Sequence, residues 1–225
     1  TGVCFVMIEP SAERTFVTTQ SAERRISVES LQTSDPQPGD IVCVSGFSLV
    51  GMTRDPLVAW LHGLHDDVVV VLDPGAAFAE LDFALRTEVL TMTDVWTSNA
   101  AEALDVTGLP GMAESVVAVA ALLRPEGVAI VRDGPKGCAV HVGGMTTELP
   151  GYPQTPVDTN GAGATHTGTL TACRAAGMEW LEAARRANVA GAIKVTRRGP
   201  ATAPTADEID AFLREHDPTP RRVNT

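Results

Sequence analysis

The run Asp-Asp-Val-Val-Val-Val-Leu-Asp-Pro-Gly at positions 66–75 constrains the fold more than any other stretch of the chain. Four valines and a leucine in succession place apolar side chains on both faces of a strand, so both faces must be covered, as in a parallel sheet. The Pro-Gly pair then stops it. Strand-like and helix-like patterns alternate around this run: IVCVSG from 41, a helix near 54–64, the valine strand, a helix over about 76–87, a short strand at 94–97, helices near 99–105 and 112–123, and GVAIVRDG from 127. Such alternation predicts βαβ wiring and an α/β fold, a three-layer, Rossmann-like, mostly parallel sheet with ligands outside the carboxyl ends of its strands.

The two flanks read differently. Residues 3–8 and 15–18 are β-branched and aromatic, and the polar stretch EPSAER between them predicts a hairpin; a short helical piece near 27–33 and the Pro/Gly-rich loop SDPQPGD follow. The hairpin is expected to form a small β lid over 1–26, leaving 27–225 as the α/β domain. Val3, Phe5 and Met7 alternate with Cys4, Val6 and Ile8, so both lid faces are apolar; one is expected to meet a second subunit in a homodimer, or else to pack on the same chain. Downstream, strands near 138–142 and 145–149 predict a second hairpin around Gly143-Gly144, and beyond LPGYPQTP come helices at about 162–176, 179–195 and 205–214.

Charge and cysteine usage narrow the function classes. A net charge of −11 argues against a nucleic-acid or anionic-membrane partner, because Arg24-Arg25, Arg185-Arg186 and Arg197-Arg198 are too short to offset it locally. No stretch reaches the roughly 18 apolar residues that span a bilayer, and the start lacks a signal-peptide pattern. The four cysteines are far apart in mostly apolar company, and read as reduced, buried thiols of a cytoplasmic protein.

The chemistry concentrates in VDTNGAGATHTGTL from 157. Gly161 and Gly163 allow backbone conformations and close approach that side chains would block, and the helix that follows adds its dipole, so the loop can gather N–H groups around an anion. A loop-to-helix junction with glycines kept for packing is the plain alternative. In VRDGPKG, Gly134 and Gly137 flank Lys136, and the backbone there can lie against a flat or phosphorylated ligand or simply turn a hairpin. In SNAAEA, Asn99 and Glu102 are three apart at a helix start, where they can face one site or cap the helix. A dinucleotide-dependent oxidoreductase would need G-x-G-x-x-G after the first strand, and none occurs.

These motifs, in this order and spacing, resemble the ribokinase-like, or PfkB-type, carbohydrate kinases: VDTNGAGATHTG is similar to the family signature D-T-x-G-A-G-D, SNAAEA to its N-x-x-E, GPKG to its G-x-x-G nucleotide loop, and ANVAGAIKVTRRGPATAPTADEIDAFL to its closing segment. The resemblance implies an ATP-dependent kinase acting on a sugar or nucleoside hydroxymethyl. By the same resemblance Gly161, Ala162 and Gly163 would form the anion hole for the γ-phosphoryl group, Asn99 and Glu102 would organise Mg²⁺ and its waters, Arg132, Gly134 and Gly137 would lie along the nucleotide, and Asn188 would approach its adenine or ribose side. It also implies that Asp158, with backbone carbonyls of this loop and of the tail around Arg197 and Gly199, would hold a monovalent cation, K⁺, although a hydroxyl-bearing residue of some members is Ala203 here.

Two departures stand out. The catalytic base of the family ends the signature, and that position is Ala164, whose methyl group accepts no proton. Phosphoryl transfer by the chain as written is therefore expected to be crippled, the intact remainder of the loop fitting one recent change better than long decay; the alternative is a non-catalytic nucleotide- or sugar-binding regulatory pseudo-kinase. His166 lies about 200° around the helix from Ala164 and is a poor substitute. Members of the family also carry a segment before the lid that supplies much of the sugar pocket, and nothing in this chain matches it.

Overall fold

The chain opens, in the computed structural model, with an antiparallel hairpin of β1 (Cys4–Ile8) and β2 (Arg14–Thr18), in register from Cys4 opposite Thr18 to Ile8 opposite Arg14. The structure describes residues 1–8 and 14–216, so the expected EPSAER turn lies outside the described residues but for its last. Helix α1 (Val28–Gln32) follows, begun by a reciprocal capping box between Ser27 and Ser30. Then come β3 (Ile41–Ser45), α2 (Arg54–His62), β4 (Val69–Asp73), α3 (Phe83–Thr91), β5 (Val95–Asn99), α4 (Ala100–Thr107), α5 (Met112–Ala120) and β6 (Val128–Arg132). The hairpin of β7 (Gly137–Val142) and β8 (Met145–Pro150) leads to α6 (Ala162–Ala175), α7 (Trp180–Val195) and α8 (Ala206–His216).

Strands β3 to β8 form one sheet in sequence order, and β3, β4, β5 and β6 pair in parallel, as the alternation predicts. Val71 and Leu72 of the valine run are fully buried, and every residue of β6 is buried, so both faces of these strands are covered. The described contacts divide into two compact units: Thr1–Arg132 with Ala139–Thr146, and Asp133–Cys138 with the chain from Thr147 on. The first contains β1 and β2 together with the parallel strands. Its core joins Leu49, Leu72, Phe78, Trp96, Ala129 and Val131, each burial of a large side chain adding about 1.5–3 kcal/mol. Phe78 meets Trp96 edge to face at 5.5 Å, and the Trp96 indole N–H donates to Ser98 Oγ at 2.8 Å, so the largest buried ring has its polar atom satisfied.

In the second unit, Ala183, Ala184, Ala187 and Ala190 give α7 a fully buried stripe of small residues that lets α6 pack closely along it. Val189, Ala190, Ile209 and Leu213 join α7 to α8, with Tyr152 edge to face against Phe212. An ion pair of Arg186 with Asp210, at 2.6 Å, reinforces that packing.

Three expectations are corrected. The helix expected over 76–87 is a 3₁₀ turn at Ala76–Glu80 and then α3, because Leu81 is extended and Asp82 accepts a hydrogen bond from Leu85 N, starting a new helix. The strand expected at 94–97 runs on to Asn99, held by continued pairing as far as Asn99 opposite Arg132. None of the four cysteines forms a disulfide among the described residues, but only Cys138 and Cys173 are buried: Cys4 is on the exposed hairpin and Cys43 on the exposed face of β3. No single helix among the described residues is long and apolar enough to cross a membrane.

Candidate active site

The loop before α6 is built by what its residues lack as much as by what they carry. Gly161 is the N-cap of α6 in the left-handed conformation, φ 84°, and a Cβ there would stand 2.6 Å from Pro200 O. Only glycine fits both demands. Ala162 N bonds back to Thr159 O at 3.2 Å, which tightens the turn, and Gly163 and Ala164 are exposed in the first helical turn. Gly161 has no side chain with which to cap α6, whose 14 residues direct their dipole at this point. Ala164 opens onto a groove of about 500 Å³ lined also by Thr165, Gly168, Pro200, Ala203 and Ile209. His166 points elsewhere: it is buried, and its Nε2 lies 3.2 Å from the Asn188 carbonyl oxygen, an acceptor, so Nε2 carries the proton.

Asp158 is the brace of the loop. It is 7% exposed; one carboxylate oxygen accepts from Asn160 N at 2.8 Å and the other from Gly199 N at 2.9 Å, while its main-chain carbonyl accepts from Lys194 Nζ at 3.0 Å. Val195 O accepts from both Val157 N and Asp158 N. Apart from the local bond to Asn160, these bonds tie the loop to the end of α7 and the tail after it.

Within the same unit, the turn after β6 and Asn188 meet around Pro150. Gly137 has φ 100°, and a Cβ there would lie 2.0 Å from Leu149 O and 2.6 Å from Pro150 C. Asn188 donates to Pro150 O at 3.2 Å, so its amide is engaged at both ends, by Pro150 and by His166. Gly134, also at positive φ, has open space around it. Lys136 pairs with Asp133 at 2.6 Å in an exposed ion pair of little energetic weight.

The first unit collects a second group at the carboxyl ends of its parallel strands. Asn99 ends β5 opposite Arg132 of β6, and Asn99 and Glu102 form a full capping box, Glu102 N donating to Asn99 Oδ1 at 2.8 Å and Asn99 N to Glu102 Oε2 at 2.9 Å. The capping arrangement is thus the one adopted. Burial pushes the Glu102 carboxyl above its ordinary value; the Asn99 N–H and the Arg132 guanidinium oppose this, and Asp73 and Asp105 add to it. Arg132 is itself buried, its guanidinium donating to Ser98 O at 3.0 Å and Thr97 O at 3.3 Å. Asp73, the last residue of β4, escaped notice in the sequence; its position at the end of the valine strand was the available signal. Among the described residues no group of three or more His, Cys, Asp or Glu is placed to enclose a metal. Mg²⁺ does not require one, since it keeps several waters and takes one or two carboxylates with substrate phosphates; the hard oxygens of Glu102, Asp73 and Asn99 suit it.

A mostly parallel sheet with helices, and a glycine-turned helix start beside an open groove, define the chain's class as α/β. Comparison with known proteins gives the particular family. The model of the pfkB family carbohydrate kinases matches residues 1–207, and the chain belongs to that family. It is 27% identical to the uncharacterised sugar kinase YegV of Escherichia coli, over 92% of this chain and 65% of that one, and 29% identical to the ribokinase of Haemophilus influenzae, over 96% and 70%. The chain thus spans about two thirds of the length of these relatives. A putative ribokinase II structure from Escherichia coli, in complex with ATP and Mg²⁺, superposes with a TM-score of 0.78 at 24% identity, covering 96% of this chain and 71% of that one, which establishes the ribokinase fold.

Proposed function

We propose that the chain is the nucleotide-binding part of an ATP-dependent sugar or nucleoside kinase, slowed at the chemical step by Ala164. The observation that carries this reading is the start of α6, where Gly161 is held against Pro200 and Gly161, Ala162, Gly163 and Ala164 carry no polar side chain, with Ala164 at the mouth of a groove. A triphosphate is the anion such a turn favours in this family, and its amides stabilise charge on the transferring phosphoryl group without a side chain. Glu102 and Asn99, with Asp73, are the proposed organisers of Mg²⁺ and its waters, and Gly134, Gly137, Arg132 and Asn188 the proposed nucleotide neighbours, Arg132 and Asn188 acting through the backbone they hold. Positioning and electrostatics supply most of phosphoryl transfer, so loss of the base leaves binding intact while removing about 10²–10⁴-fold of rate.

The hairpin β1–β2 is proposed as a lid. Val3, Phe5, Met7, Phe16 and Val17 are each at least half exposed on it, an apolar surface suited to a second lid in a homodimer. The non-catalytic alternative, a regulatory nucleotide binder, rests on Ala164 alone. Titration calorimetry tests the shared premise: ATP with Mg²⁺ should bind with a dissociation constant in about the micromolar to millimolar range and NAD should give no heat. Equal binding of NAD, or no response to ATP with Mg²⁺, would remove the kinase reading.

A further inference from the structure

Lys194 is the one lysine of the chain whose side chain is fully buried among the described residues, and it sits where the phosphate loop meets the tail. Its Nζ donates to Asp158 O at 3.0 Å and to Arg197 O at 3.3 Å. An ammonium taken out of water is tolerated only where acceptors replace its hydration, and these are main-chain carbonyls from both sides of the junction. Lys194 also lies in the last turn of α7, where carbonyls lose their helical partners and the helix presents its negative end. The aliphatic stem enters from α7, so the charge is delivered to a fixed point without a diffusing ion.

Carbonyl oxygens in a ring are also what a potassium ion takes in place of water. The carbonyls of Asp158 and Arg197 belong to the set that the family resemblance assigns to a monovalent cation, and here Lys194 Nζ holds both. A potassium ion on the same oxygens would stand a few ångströms from the ammonium, like charge against like charge with little water between them. We propose that the Lys194 ammonium is a tethered replacement for a free monovalent cation, a positioning residue that locks the loop of Asp158 to the tail at Arg197–Gly199 and makes the protein indifferent to potassium. Two neighbouring contacts reinforce the same junction, the bond from Gly199 N to the Asp158 carboxylate and the close seat of Gly161 against Pro200. The bearing of Lys194 on phosphate binding rests on the kinase reading above; its bearing on the fold does not.

The test therefore uses two readouts at constant ionic strength in potassium, sodium or tetramethylammonium chloride. For the chain as it stands, the thermal midpoint of the ligand-free protein and the affinity for ATP with Mg²⁺ should be the same in all three salts. Lys194→Ala should lower the midpoint by about 5–10 °C in tetramethylammonium and recover part of it in potassium, the vacated carbonyls now accepting the ion. Lys194→Met, which keeps the stem but not the charge, should be destabilised in every salt. Affinity of Lys194→Ala for the nucleotide should fall roughly tenfold to a hundredfold in tetramethylammonium, with partial rescue by potassium. A midpoint or affinity of the unaltered chain that rises with potassium over both other salts overturns the proposal, and this arm needs no variant to fold. So does a Lys194→Ala midpoint that matches the unaltered chain. Failure of the kinase reading would show separately, as absent nucleotide binding in every salt while the midpoints still judge the lysine.

Discussion

The first turn of α4 closes on itself: Asn99 caps the Glu102 amide and Glu102 caps the Asn99 amide, two reciprocal bonds of 2.8 and 2.9 Å. The first turn of α6 does nothing of the kind, because its N-cap is Gly161 and the next three residues are Ala162, Gly163 and Ala164, none with a polar side chain. A helix start normally satisfies its orphan amides with its own Ser, Thr, Asp or Asn, gaining about 1 kcal/mol. At α6 no such side chain is present, and the turn is held instead by the seat of Gly161 against Pro200 and by the bond from Ala162 N to Thr159 O. At α4 the side chains serve the fold first, and any role toward a metal is added to that duty; at α6 the backbone alone shapes the turn, as the proposed phosphate site requires.

The sharpest way to break this contrast is to restore a carboxylate at α6. Ala164→Asp should raise phosphate transfer to an accepted sugar or nucleoside by about 10²–10⁴-fold, measured by coupled assay on the protein at the length its gene encodes. It should change the affinity for ATP with Mg²⁺ little, since the methyl group it replaces is exposed at the groove mouth. If the variant binds nucleotide and acceptor as before and gains no rate, the chemistry does not lie at the start of α6 and the glycine turn is only packing.

A matched pair of alanines comes next in size. Gly161→Ala forces a left-handed residue and drives a methyl group toward Pro200 O, and should cost about 1–3 kcal/mol of stability together with most of the nucleotide affinity. Asn99→Ala removes a cap and should cost about 1 kcal/mol, a thermal shift of roughly 2–4 °C. The contrast predicts that the ratio of lost affinity to lost stability is larger at Gly161. Thermal melts with calorimetry on both variants decide it, and equal ratios would mean that the two helix starts do the same work.

Much of this was legible in the residues, and the exceptions share a cause. The parallel strands declared themselves because apolar runs such as Val68–Leu72 cannot be accommodated with one face in water. The loop before α6 did so because Gly-Ala-Gly is a backbone requirement, and backbone requirements are written locally. What stayed hidden depends on partners distant in sequence or on a choice between local options. Lys194 reads as an ordinary cation in a last helical turn until Asp158, 36 residues away, brings its carbonyl to it. Asp82 interrupts an apolar helical pattern only because its carboxylate captures Leu85 N. Cys43 has the apolar neighbours of a buried thiol, yet the outer face of β3 leaves it exposed. Asn99 and Glu102 were visible as a pair, but spacing alone could not tell a cap from a ligand set, and the structure shows the cap in place.

The smallest expected effect tests whether Glu102 has that second duty. Its carboxyl is raised above the ordinary value of a glutamate, with burial the leading cause, so the folded state holds the proton more tightly than the unfolded chain does. The stability that follows from the raised value is fully present below the unfolded value near 4.5 and is lost as pH rises through the folded one. At neutral pH the half-buried charge is therefore expected to cost the fold stability. Glu102→Gln keeps an oxygen for Asn99 N and removes the charge. Its thermal midpoint at neutral pH should equal or exceed that of the unaltered chain by roughly 1–3 °C, and the advantage should vanish in acid where Glu102 is itself neutral. Affinity for ATP should become insensitive to added Mg²⁺ if the carboxylate organises the ion. A lower midpoint at neutral pH, with the Mg²⁺ dependence of nucleotide binding unchanged, would mean that Glu102 is there for Asn99 and Arg132 alone, and α4 would be a purely structural helix start.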